Sequence, residues 1–172
     1  IIYHASQLSK GKTDTEKVQA LMFLGHWLGD IHQPLHVSFA SDLGGNKVEV
    51  IPQLGKCKNL HWYWDQCLLY VEELPENTTP FQFLYSQLHT KINKIETPLW
   101  HESAVYEWAN ESIALVRTKE FGYCENNKGE CLPLADGEIE LSLAYHQKYH
   151  ALLQHRILLA AHRLTGILNK VL

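Results

Sequence analysis

Two histidine–aspartate pairs share one spacing in this chain. His26 and Asp30 lie in GHWLGDIHQPLH, and His61 and Asp65 lie in NLHWYWD. Side chains four apart on a helix project from one face. Imidazole nitrogen and carboxylate oxygen are the donors a hydrolytic zinc takes. Pro34 must end the first helix, and His36 falls on the turn that follows. From that turn His36 can come back toward the His26/Asp30 face, whereas His32 is rotated well away from it. Five candidate ligands result: His26, Asp30, His36, His61 and Asp65. A catalytic zinc uses about three protein ligands and keeps one position open. Five can therefore hold two ions, if one ligand is shared or water completes the shells. One such pair alone is usually a surface ion pair. Two pairs, each beside an aromatic residue and separated by Gly44-Gly45-Asn46, form a far more selective pattern.

The elements that must position these residues read as helical nearly throughout. Thr13 to Glu16 is a capping box, and Val18, Leu21, Met22, Leu24 and Leu28 follow, which predicts a helix from Asp14 to Ile31. Residues 44–51 alternate as a short strand or hairpin arm. A second helix is expected from Asn59 to about Glu73. Thr79-Pro80 and Thr97-Pro98 each place proline at a first helical position. They open helices to about Ile95 and about Lys119. A polar loop spans about 122–137, and a last helix runs from about Leu141 to Val171. The expected fold is a single all-α domain over residues 1–172, of about five helices with at most a short β hairpin.

Composition narrows the chemistry. The chain has 172 residues, 45% of them apolar, enough to bury a core. Its net charge is −4, so nucleic acid would have to be handled by a local site rather than by a basic surface. No apolar run approaches the length of a membrane span. The first twelve residues lack a signal peptide's regions and read as the interior of a longer chain. Cys57 with Cys67, and Cys124 with Cys131, are the local pairings. Two disulfides are expected, and with them an oxidising, secreted or otherwise extracytoplasmic setting; four reduced thiols are the alternative.

Other conspicuous residues read as structural. His146 and His150 lie near the apolar face of the last helix, with His155 and His162 opposite, so the four cannot form one site. His89 and His101 have no partner at ligand spacing. Trp27, Trp62 and Trp64 flank the ligands as core, or as a dry shell or stacking surface for bases. Asn77-Thr78-Thr79 and Asn110-Glu111-Ser112 are glycosylation sequons, the second on a helix.

GHWLGDIHQPLH, DLGGNKVEV, NLHWYWD and WANES, in that order, resemble the S1/P1 family of zinc-dependent single-strand nucleases and 3′-nucleotidases. The match runs from about Glu16 to Val116. The resemblance implies a multi-helix fold, shared with zinc phospholipases C, and three zinc ions in a cleft. His26 and Asp30 would belong to the first zinc, His36, His61 and Asp65 to the second, and Asp30 would also touch the third. Asp30 is thereby the expected catalytic residue. A zinc-bridged hydroxide would attack the phosphodiester of single-stranded DNA or RNA and leave 5′-phosphates, and 3′-nucleotides would be further substrates. Gly44, Gly45 and Asn46 resemble the turn lining the nucleobase pocket. The family's N-terminal tryptophan, histidines and aspartate have no counterpart here. One zinc site is therefore complete and one partial, and a separate N-terminal chain or segment is the expected partner. A lipid-directed phospholipase C and an inactive metal-binding remnant are the alternatives.

Overall fold

The computed structural model describes residues 1–69, 74–92, 101–134 and 137–172. Helices α1 (Ile2–Lys10) and α2 (Asp14–His32) lead into a 3-10 turn, Pro34–Val37. Strand β1 (Val50–Pro52), helix α3 (Leu60–Asp65) and a second 3-10 turn, Cys67–Leu69, come next. Helices α4 (Pro80–His89) and α5 (Ala104–Val116) precede β2 (Cys124–Asn127), β3 (Glu130–Pro133) and β4 (Ile139–Leu141). Helix α6 (Leu143–Val171) closes the chain. The fold is mostly α, as expected.

Helix α2 starts where its caps require. The Thr13 hydroxyl accepts from the Glu16 amide, and the Glu16 carboxylate accepts from the Thr13 amide at 3.1 Å. Ala20, Leu24, Leu28 and His32 recur every four residues and are buried. They pack with Ala5 and Leu8 of α1, Trp108 of α5 and Ile167 near the end of α6. His26 and Asp30 sit two positions off this stripe, about 200° round the helix, and so face away from the core. The first half of α6 serves a second core, in which Tyr149 and Leu153 meet Leu35, Trp64 and Phe121. This one long helix therefore underlies both the end of α2 and the end of α3.

Several elements differ from expectation. Helix α1 was not anticipated; it has no side-chain cap, and burial of Ala5 and Leu8 against α2 holds it. Residues 44–47 form a turn rather than a strand, and β1 pairs in parallel with β4, so it is not a hairpin arm. The helix from Asn59 stops at Asp65, where the chain turns so that Cys67 can reach Cys57. The polar loop at 122–137 contains an antiparallel hairpin, β2–β3. Lys128 and Gly129 both have positive φ, 54° and 94°, the signature of a type I′ turn. Helix α4 ends at His89, short of the expected Ile95, and α5 begins at Ala104; Thr97-Pro98 and residues 70–73 lie outside the described residues.

The cysteines divide. Cys57 and Cys67 are bonded, with Cα atoms 6.2 Å apart. Cys124 and Cys131 are free, which corrects the second expected disulfide. The hairpin register sets Cys124 opposite Pro133 and Cys131 opposite Asn126. The two cysteines are thus diagonal neighbours across the strands, and their thiols lie close enough to hydrogen-bond each other without being bonded. Burial pushes both thiols up.

A charged network ties the core to the end of α2. Arg156 and Arg163 of α6 are 4% and 8% exposed. Glu111 of α5 accepts from Arg156 at 3.0 Å and from two nitrogens of Arg163 at 2.7 Å. Arg156 Nε donates to the His32 carbonyl at 3.1 Å, and the Ser112 hydroxyl donates to the Ile31 carbonyl at 2.6 Å. These are terminal carbonyls with no intrahelical partner, and a cation beside them also complements the helix dipole. His32 Nδ1–H donates to the Leu28 carbonyl, and its Nε2 accepts from Arg163, each at 2.7 Å. Burial, aided by both guanidiniums, holds the His32 pKa down at about 4, so the ring is neutral. Burial pushes the Glu111 carboxyl up, but hydrogen bonds from Arg163 and Arg156 outweigh it and keep the group below its usual range. Its contribution to stability is therefore present above the ordinary carboxylate pKa and lost as pH falls through the lowered value.

Removing Glu111 leaves two buried guanidiniums uncompensated. Glu111→Ala should destabilise the protein by about 3 kcal/mol in urea denaturation. Glu107→Ala, exposed on the same helix, should stay within about 0.5 kcal/mol of the parent. Equal losses in the two variants would show that the network is not what anchors α2.

Candidate metal centre

The five proposed ligands form a continuous alternation of imidazole and carboxylate. His26 Nε2 lies 3.4 Å from Asp30 Oδ2, and Asp30 Oδ1 lies 3.0 Å from His36 Nδ1. His36 Nε2 lies 3.1 Å from Asp65 Oδ1, and Asp65 Oδ2 lies 3.4 Å from His61 Nε2. Donor atoms of His36, His61 and Asp65 all fall within 4.8 Å of one another, the one such grouping among the described residues. His26 stands outside it, exposed on α2.

Local sequence explains how these side chains are held. Asn59 caps α3 by accepting from the Trp62 amide at 2.7 Å, which starts the helix just before His61. Gln33 caps the 3-10 turn that carries His36. Gly44 and Gly45 have φ of +62° and +84°. A Cβ on Gly44 would lie 2.4 Å from the Leu35 carbonyl oxygen, so only glycine fits there. The tight turn delivers the Gly44 carbonyl to His61 Nδ1 at 2.8 Å, and the Gly45 carbonyl accepts from the His61 amide at 3.4 Å.

The proton positions decide what the site can bind. A carbonyl can only accept, so His61 carries its proton on Nδ1 and turns the Nε2 lone pair toward Asp65. A lone pair then faces a carboxylate oxygen, an arrangement that a cation satisfies. Histidine ligands of metals are oriented by such second contacts. The hydrogen bond to Asp65 raises the His36 pKa, against burial and with help from Asp30. Burial pushes Asp65 up, but hydrogen bonds from His36 and Gln33 hold it below its usual value. The donor set of two imidazoles and a carboxylate thus fits a zinc ion, with His36 giving up a proton as the ion enters.

An open groove of about 540 Å³ runs beside these groups, lined by Asp30, His36, Gly44 and His61, with Leu35, Phe39 and Leu43 on its apolar side. Asn46 is exposed, and its amide donates to the Leu43 carbonyl at 2.9 Å. Trp64 is buried core, Trp62 is half-buried and bonded to Gln66, and Trp27 is exposed in a stack with Phe23. The remaining histidines are placed apart. His146 bonds the Tyr63 hydroxyl, His150 the Leu68 carbonyl and His162 the Ile92 carbonyl, while His155 is exposed. His89 stacks on Tyr85, and His101 bonds Ser103.

The family model for S1/P1 Nuclease matches residues 1–172. The chain belongs to the S1/P1 nuclease family. Endonuclease 1 of Arabidopsis thaliana is 32% identical over 166 residues, covering 89% of this chain and 49% of that protein. Endonuclease 3 of the same plant is 34% identical over 128 residues, 74% of this chain and 37% of its own length. Nuclease S1 of Aspergillus oryzae is 41% identical over 58 residues, 34% of this chain and 20% of that enzyme. The chain spans less than half the length of each of these relatives.

Two sets of residues escaped the motif reading. WANES carries Trp108, Glu111 and Ser112, which brace the end of α2 rather than touch the groove. Two arginines seven apart on an apolar helix face, Arg156 and Arg163, were the available signal. Gln33 was read only as part of a motif, yet it contacts Asp65 directly.

Gly44→Ala tests the turn. It should destabilise the protein by about 1–3 kcal/mol and lower zinc affinity as His61 loses its carbonyl partner. A variant with unchanged melting and unchanged zinc affinity would refute the role given to this glycine.

Proposed function

We propose that this chain supplies metal ligands of a zinc-dependent nuclease that hydrolyses single-stranded DNA or RNA to 5′-phosphate products, with 3′-nucleotides as further substrates. The observation that carries the reading is the convergence of His36, His61 and Asp65, linked through His36 to Asp30. His36, His61 and Asp65 would hold one zinc. His26 and Asp30 would contribute to two others, whose remaining ligands the family resemblance assigns to a segment without a counterpart in these residues. Bound zinc supplies Lewis acidity and lowers the pKa of water. Asp30 would supply negative charge to balance the bound ions, and its Oδ1 holds His36 Nδ1 at 3.0 Å. The Gly44 carbonyl holds the His61 tautomer. Leu43, exposed at the groove, would give an unpaired base an apolar surface beside the metal.

Net charge of −4 fits a substrate held by this local site rather than by a general basic surface. The Cys57–Cys67 disulfide fits an extracytoplasmic enzyme. Among the described residues no helix is long and apolar enough to cross a membrane.

Asp30→Asn in the full-length protein should keep the helix, since the propensity change is only a few tenths of a kcal/mol. Turnover of single-stranded DNA should fall at least roughly 100-fold, with loss of bound zinc. His155→Ala, exposed on α6, should leave both unchanged. Full turnover in Asp30→Asn, or hydrolysis of phosphatidylcholine in preference to single-stranded DNA, would overturn the reading.

A further inference from the structure

We propose that Gln33 is a positioning residue that aims the Asp65 carboxylate at the metal, an inference that rests on the metal-centre reading above. Gln33 is 9% exposed and lies between two elements that each carry a ligand. Its Oε1 accepts from the Leu35 amide at 2.6 Å, at the head of the 3-10 turn that bears His36. Its Nε2 donates to Asp65 Oδ1 at 2.9 Å, at the end of α3.

The two ends of this amide are not interchangeable. The Leu35 N–H needs an acceptor, and an ionised Asp65 accepts only, so the network fixes which end of the side chain is nitrogen. Glutamate in its place would cap the turn equally well but would set a carboxylate against Asp65. The contact also removes a freedom that matters. An aspartate has two rotatable side-chain bonds, and Asp65 is about one-third exposed. With Oδ1 held by Gln33 and His36, rotation is restrained and Oδ2 is left facing His61 Nε2 at 3.4 Å. One buried amide therefore sets the relation between residues 29 apart in sequence, His36 and Asp65, before any ion binds.

The test uses the full-length protein and zinc competed against a chromophoric chelator. The equivalent that His61→Ala abolishes defines the site. Gln33→Glu and Gln33→Met should each weaken that equivalent about 10–100-fold. Both should shift the d–d bands of the cobalt-substituted protein. Gln33→Glu retains the acceptor for Leu35, so a residue that merely capped the turn would show a loss in Gln33→Met alone. Wild-type affinity and an unshifted cobalt spectrum in Gln33→Glu would overturn the proposal. A parent protein from which His61→Ala removes no zinc would overturn the metal-centre reading itself, and the role of Gln33 with it.

Discussion

The salt-bridged contact of Glu111 with two buried arginines holds the end of α2 in place, and the rest of the site is built from that end. A helix terminus leaves carbonyls without partners, and burying them unpaired is unfavourable. Here Ser112 serves Ile31 and Arg156 serves His32, while Arg163 closes on the His32 ring. Glu111 makes it feasible to keep both guanidiniums in the core. The last turn of α2 is thereby held at the junction of α5 and α6, with Asp30 on its outer side and Gln33 at its tip. A neutral His32 belongs to this bracing, not to the ligand set, although it lies amid ligand residues in sequence.

From that anchored end the chain reaches its second ligand element through two constraints. One is the Gln33 amide, which spans the turn and α3. The other is the Gly44-Gly45 turn, which brings a backbone carbonyl against His61 where no side chain would fit. Each of His36, His61 and Asp65 consequently has a fixing contact besides those it would make to a metal. Such preorganisation limits the loss of side-chain freedom on binding and selects the imidazole tautomer that can donate a lone pair.

Much of this was legible in the residues, for reasons that differ by element. The start of α2 was legible because Thr13 and Glu16 form a local capping box, and its end because Pro34 forbids continuation. The pairing of His26 with Asp30 and of His61 with Asp65 was legible because a four-residue spacing on a helix is itself a geometric statement. The β2–β3 hairpin was passed over, since Lys128 occupies a position where glycine or asparagine is the stronger turn signal. Helix α1 was missed because tertiary burial, not capping, holds it. Cys124 and Cys131 do come together across the hairpin, as their spacing suggests, but they stay unbonded. The contact of the Gly44 carbonyl with His61 Nδ1 was not legible, because a backbone carbonyl is an atom no side-chain motif records. The Glu111 network was the least legible, because it joins residues from three distant helices.

Anomalous diffraction at the zinc edge, on crystals of the full-length protein, addresses the central claim most directly. The account predicts a zinc peak about 2.0–2.2 Å from a nitrogen of His36, a nitrogen of His61 and an oxygen of Asp65. Gly44 should still accept from the other nitrogen of His61. Zinc present in the crystal with no peak among these three residues would contradict the account.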